Sequence, residues 1–117
     1  MQTYLQAHPD TTLLMSIYSP DLSQGTVKAV QSLGKTGKVK ISDMGGSQYT
    51  VDQIKAGGIQ LTLPYYPGLS GDLAVESIHD AQMGKTPPIR VYDEVPGGLA
   101  KAQVITSANV RSFKPQY

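Results

Sequence analysis

Cysteine is absent from all 117 positions, which excludes a disulfide framework, thiolate zinc sites and a cysteine nucleophile. Histidine occurs only as His8 and His79, too few for an all-protein transition-metal site. No basic block is present, and ten Lys and Arg against nine Asp and Glu leave a formal charge of +1, so the electrostatic footprint of a nucleic-acid binder is missing. No apolar run approaches the length of about 18 residues that a membrane helix needs. The opening Met1-Gln2-Thr3-Tyr4 lacks the basic and apolar regions of a signal peptide, so the address of an exported form would lie upstream or have been removed. What remains is 39% hydrophobic and 16% charged, apolar enough for a core and too lightly charged for disorder, at a length of about one domain.

The chain alternates short β-rich runs with helical runs, the pattern of a parallel α/β sheet. Residues 4–7 read as a helix tail cut by Pro9. Residues 11–18 (TTLLMSIY) form a near-continuous apolar run, as expected of a strand buried on both faces. Ser19-Pro20-Asp21 is a helix start, with Ser19 as N-cap and Pro20 at the first helical position. Leu22, Val27, Val30 and Leu33 then recur at helical spacing, and Gly34 is a left-handed stop. A second strand spans residues 38–43, and Gly45-Gly46-Ser47 turns into a helix that Gly57-Gly58 ends. A third strand at residues 59–63 is broken by Pro64 and Pro67. Leu73, Ala74, Ile78 and Ala81 mark a further helix with Gly84 as its stop. Pro87-Pro88 is a rigid connector, residues 89–95 are an extended or edge segment, and residues 103–106 are a last short strand before an irregular tail.

In a parallel sheet, ligands bind outside the carboxyl ends of the strands. Three loops fall there: Tyr18-Ser19-Pro20, Asp43-Met44-Gly45-Gly46-Ser47 and Pro64-Tyr65-Tyr66-Pro67. Tyr18, Tyr65 and Tyr66 carry flat apolar faces with polar tips, suited to a sugar ring or to strand-end packing. Tyr65 and Tyr66 are adjacent, so strand alternation turns only one of them to the site. Asp43 could accept from two ligand hydroxyls or cap its own turn. Gly45-Gly46-Ser47 lacks the spacing of a phosphate loop and reads as a plain turn. His8 and His79 read as surface residues, and Asp72, Glu76 and Asp80, four apart, read as a solvated helix face. No Gly-x-Ser-x-Gly elbow or paired acid–base constellation appears, so no catalytic residue, metal or cofactor is assigned.

The order of these features over residues 1–109 resembles the C-terminal part of a type I periplasmic sugar-binding protein of the ribose-binding type. The resemblance is carried by LQAHPDTTLLMSIYSPDLSQGTVKAVQSLGK, by KVKISDMGG and by IKAGGIQLTLPYYPGLSGDLAVESIHDAQMGK. It implies a flavodoxin-like α/β, three-layer lobe that binds a small polar solute, a carbohydrate, for uptake through an ABC-transporter permease. It also implies a periplasmic or extracellular setting, with membrane association through an N-terminal signal that this sequence does not show.

In that family a polar residue after the first of these strands contacts ligand, which places Ser19 where Asn is common. The family's strand-end Asp corresponds to Asp43, or its position is taken by Gly46. The residue two before the proline, often Gln, is Tyr65. With Tyr18, these form the expected ligand-binding set. The family's chain is about twice this length. The implied layout puts residues 1–64 in one lobe, residues 65–98 in a crossing segment and helix toward the other, and residues 99–117 in a return strand and tail, with Gly97-Gly98 near the return. The helix from 68 to 83 would then expose an apolar stripe unless it packs back or meets another chain; a fragment, a separately expressed half and a swapped homodimer all follow. The same core also builds the effector domain of LacI-type regulators, the alternative reading. A flavodoxin-like enzyme or cofactor protein is the third, and the missing phosphate loop argues against it.

Overall fold

A computed structural model describes residues 1–17, 19–86 and 103–117. The elements run α1 (Gln2–Ala7), β1 (Leu13–Ser16), α2 (Asp21–Ser32), β2 (Lys40–Gly45), α3 (Gln48–Ala56), β3 (Leu61–Pro64), α4 (Pro67–Gln82) and β4 (Ile105–Thr106). The sheet order is β1-β2-β3-β4, with parallel pairs β1-β2 and β2-β3 and an antiparallel β3-β4 pair. Tyr18, Pro87-Pro88, the segment 89–95 and Gly97-Gly98 lie outside the described residues.

Local signals set most element ends. Gly34 adopts φ +62° after α2, and Lys35 N–H reaches back to the Val30 carbonyl at 3.0 Å, closing the helix with a left-handed cap. Ser47 caps α3 through the Thr50 amide, and Gly57, at φ +79°, ends it. The start of α2 differs from expectation. Pro20 occupies the N-cap without a side-chain cap bond, and the Ser19–Pro20 peptide is cis. Ser19 therefore lies outside the helix, and its hydroxyl is held by Ser47 and Thr50 instead.

The sheet has one covered face. In register across it, Leu14 and Ser16 align with Ile41 and Asp43, and Asp43 with Thr62, which pairs Ile105; all are buried. Val27 and Val30 of α2, Val51 and Ile54 of α3, and Ile59 and Val110 complete the core, and Leu5 of α1 joins it. The alternate strand positions carry Leu13, Met15, Met44 and Leu63, all exposed, followed by Ile17. The expected burial of β1 on both faces thus holds on one face only among the described residues, where α2 and α3 supply the cover.

α2 carries a second correction. Leu22, placed on the core face by its spacing, is 53% exposed, while Ser23 and Thr26 are buried. The inner face of the first turns of α2 meets a carboxylate rather than hydrocarbon, because Ser23 Oγ–H donates to Asp43. α4 buries none of its residues, and Val75 and Ile78 stand exposed along it. Gln116 ties its start to the tail, accepting from the Gly68 amide at 2.8 Å.

Gly25 sits inside α2, and an added Cβ there would meet nothing within 4 Å. Gly25→Ala is expected to stabilise the chain by about 0.5–1 kcal/mol, read as a higher urea midpoint, because it removes glycine's conformational entropy from the unfolded state.

Candidate functional site

Parallel pairing of β1, β2 and β3 brings their carboxyl ends to a single edge, as the alternation of elements implied. A hollow of about 480 Å³ opens there, within the range of small-molecule sites. Ile17, Met44 and Pro67 give it apolar lining, Ser19, Asp21 and Tyr65 are its polar residues, and Gly45 and Tyr117 also border it. A second hollow of about 640 Å³ runs along the β1 edge beside Met1, Met15 and Leu22 and shares Ile17 and Asp21 with the first.

Of the residues assigned from sequence, Ser19 and Tyr65 share the strand-end hollow. Tyr65 is 49% exposed, and its amide donates to the Gly45 carbonyl at 2.8 Å, so the β2-β3 ladder continues one residue past Pro64 and positions the ring. Tyr66 turns the other way and meets Phe113 edge-to-face at 6.4 Å. Burial pushes the Tyr66 phenol above its ordinary range.

Asp43 lies beneath the hollow and does not line it. It is 1% exposed, and its carboxylate accepts from Ser23, from Thr62 at 2.8 Å, from Thr50 at 3.1 Å and from the Gly46 amide at 3.4 Å. A buried carboxylate so supplied is a structural hub joining β2 to α2, α3 and β3. Gly46 is buried too. At φ +74°, a Cβ on it would meet Pro64 and Phe113 at 3.2 and 3.3 Å, so it faces packing rather than the hollow. The neighbouring Gly45, also buried, lines the hollow instead, with the Ser19 and Tyr117 side chains against it.

Sequence reasoning missed Ile17, Asp21 and Tyr117 among the lining residues, and Tyr117 is the most distant in sequence. It belongs to a tail without regular structure, 98 residues beyond Ser19, and no local pattern marks it. Its carbonyl accepts from the Gln48 amide at 2.8 Å, which together with Gln116 brings the chain end back to the strand edge.

The arrangement can hold a small amphipathic molecule by one face, with an aromatic ring, aliphatic wall and a few hydroxyls. Among the described residues no group of three or more His, Asp or Glu side chains converges on a point where a metal could sit. None of their helices is long and apolar enough to cross a membrane.

No protein-family profile and no curated protein matches the chain. Solved structures do. GanP, a glucose-galactose binding protein from Geobacillus stearothermophilus, shares 23% identity at a TM-score of 0.74 over 92% of this chain and 35% of its own. An ABC-transporter periplasmic solute-binding protein from Actinobacillus succinogenes 130z, with bound D-allose, shares 20% at a TM-score of 0.77 over 96% and 36%. An ABC-transporter solute-binding protein from Agrobacterium vitis, bound with alpha-D-tagatopyranose, shares 21% at a TM-score of 0.72 over 93% and 34%. The chain thus has the α/β fold found in periplasmic sugar-binding proteins and spans about a third of the length of each.

Proposed function

We propose that this chain is the C-terminal portion of an ABC-transporter solute-binding protein of the type I periplasmic class, and that it supplies one wall of a carbohydrate site. The observation that carries the reading is the strand-end hollow, where Ser19, Gly45 and Tyr65 from three successive strand ends meet. The shared fold with three proteins named for sugar binding or holding sugars supports it. Binding here is reversible and non-covalent: Tyr65 lies against an apolar ring face, and Ser19 meets a ring hydroxyl. Residues 1–64 belong to one lobe, residues 65–98 cross toward the other and residues 99–117 return. In this reading the working partner is a transporter permease, the setting is periplasmic or extracellular, and the chain performs no catalysis.

A thermal-shift series on the chain with D-glucose, D-galactose, D-allose and D-tagatose tests the assignment. At least one sugar is expected to raise the melting temperature, increasingly with concentration, because a ligand that binds only the native state stabilises it by mass action. Tyr65→Ala is expected to weaken that sugar by about tenfold, the value of a lost aromatic contact of up to about 1.5 kcal/mol. A folded chain whose melting temperature is unmoved by every sugar at high millimolar concentration overturns the carbohydrate assignment.

A further inference from the structure

Ser19 is held at two short contacts, 2.5 Å from Ser47 Oγ and 2.6 Å from Thr50 Oγ1. Each such contact requires one proton between its oxygens, and each hydroxyl owns one proton. Thr50 spends its proton on Asp43, because a carboxylate can only accept. The Ser19–Thr50 contact must therefore use the Ser19 proton. The Ser19–Ser47 contact is then left to the Ser47 proton. One direction supplies a proton to every short contact: Ser47 donates to Ser19, Ser19 to Thr50, and Thr50 to Asp43, while the longer 3.3 Å contact between Ser47 and Thr50 receives none. The reverse assignment, Ser19 to Ser47, would leave Ser19 and Thr50 with two oxygens 2.6 Å apart and no proton between them. The same logic runs on the other carboxylate oxygen. Ser23 donates to Asp43, so the 3.0 Å contact between Ser16 and Ser23 takes its proton from Ser16.

From this bookkeeping we infer that Ser19 meets the strand-end hollow as an acceptor, its proton locked inward by Asp43, so that the solute group seated on it must donate a hydrogen bond. A free sugar hydroxyl meets that demand, whereas an ether oxygen, a ketone or a fluorine at the same place faces a lone pair. Asp43 and Thr50 are positioning residues: neither lines the hollow, yet together they set the hydroxyl direction of Ser19, which is 5% exposed and belongs to the lining. The inference rests on the carbohydrate reading for its ligand and on the hydroxyl chain for its direction.

Two measurements separate these. Neutron diffraction from crystals of the deuterium-exchanged chain reads the direction without ligand. The Ser19 deuteron is expected to point at Thr50 and the Ser47 deuteron at Ser19; a Ser19 deuteron directed into the hollow overturns the proposal. The second measurement takes whichever of the four sugars binds best and titrates analogues with each hydroxyl replaced in turn by fluorine, which cannot donate. One position is expected to lose about tenfold in affinity. That penalty should vanish in Ser19→Ala and shrink in Thr50→Val, which frees the Ser19 proton. Unchanged affinity for every fluorinated analogue overturns the proposal while leaving the carbohydrate assignment standing. If no parent sugar binds, that assignment falls and the deuteron positions alone decide the inference.

Discussion

Asp43→Ala is expected to lower the unfolding free energy by about 3 kcal/mol or more and to shift the urea midpoint accordingly. The carboxylate is 1% exposed and is the shared acceptor for Ser23, Thr50, Thr62 and the Gly46 amide. Each buried donor left without a partner costs about 1–3 kcal/mol, and some of that is recovered as hydroxyls reorient. Asp43→Asn preserves shape but puts an amide NH₂ where an oxygen accepted. Whichever way the amide turns, it opposes a donor: Ser23 on one side, or Thr50 and Thr62 on the other. A loss of about 1–2 kcal/mol is expected for Asn. A surface ligand-binding aspartate would behave differently, since its removal would weaken sugar binding and leave the urea midpoint in place. Equal midpoints for the wild-type chain and Asp43→Ala would therefore dismantle the hub.

Gly45→Ala is the second large effect, expected at about 2–4 kcal/mol together with loss of whatever sugar binding the parent shows. Gly45 adopts φ +136°, a conformation that side-chain-bearing residues rarely enter. An added Cβ would also sit 2.7 Å from the Ser19 Cβ and collide with the Tyr117 hydroxyl. The strain and the overlap act together, because relief of either moves the loop after β1 or the chain end, and both line the hollow. Gly25→Ala serves as the control within the same chain: that substitution meets open space, so its expected gain isolates the ordinary entropy effect of losing a glycine. Denaturation and sugar titration of the two variants side by side give the comparison. Comparable urea midpoints for Gly45→Ala and the parent would show that the β2 end has room to yield.

The parts of the site that were legible in the sequence are those that local chemistry controls. Pro64 and Pro67 stop β3 and begin α4, so Tyr65 had to fall at a strand end, and period-two alternation separated it from Tyr66. Ser47 and Gly57 frame α3 by capping, and Gly34 ends α2, each through a hydrogen bond made within a few residues. Reading Ser19 as an N-cap failed for a related reason: Ser-Pro-Asp is a strong local start signal, but two hydroxyls distant in sequence compete for the same side chain. Leu22 failed likewise, because hydrophobic periodicity assumes an apolar partner, and α2 turns Ser23 toward a buried carboxylate instead.

The alternation of strands and helices, the parallel sheet that follows from it and the edge on which a ligand site belongs are all written in local sequence. Those depend on periodicity, capping and turn chemistry, which act over a few residues. Long-range packing sets the rest: Asp43 points inward, Gly45 rather than Gly46 borders the hollow, Tyr117 reaches the site from far along the chain, and one sheet face of the described residues stands uncovered. These depend on which groups meet across long stretches of chain. A buried carboxylate takes the nearest convergent donors wherever they lie in sequence, and no pattern within a single segment encodes that convergence.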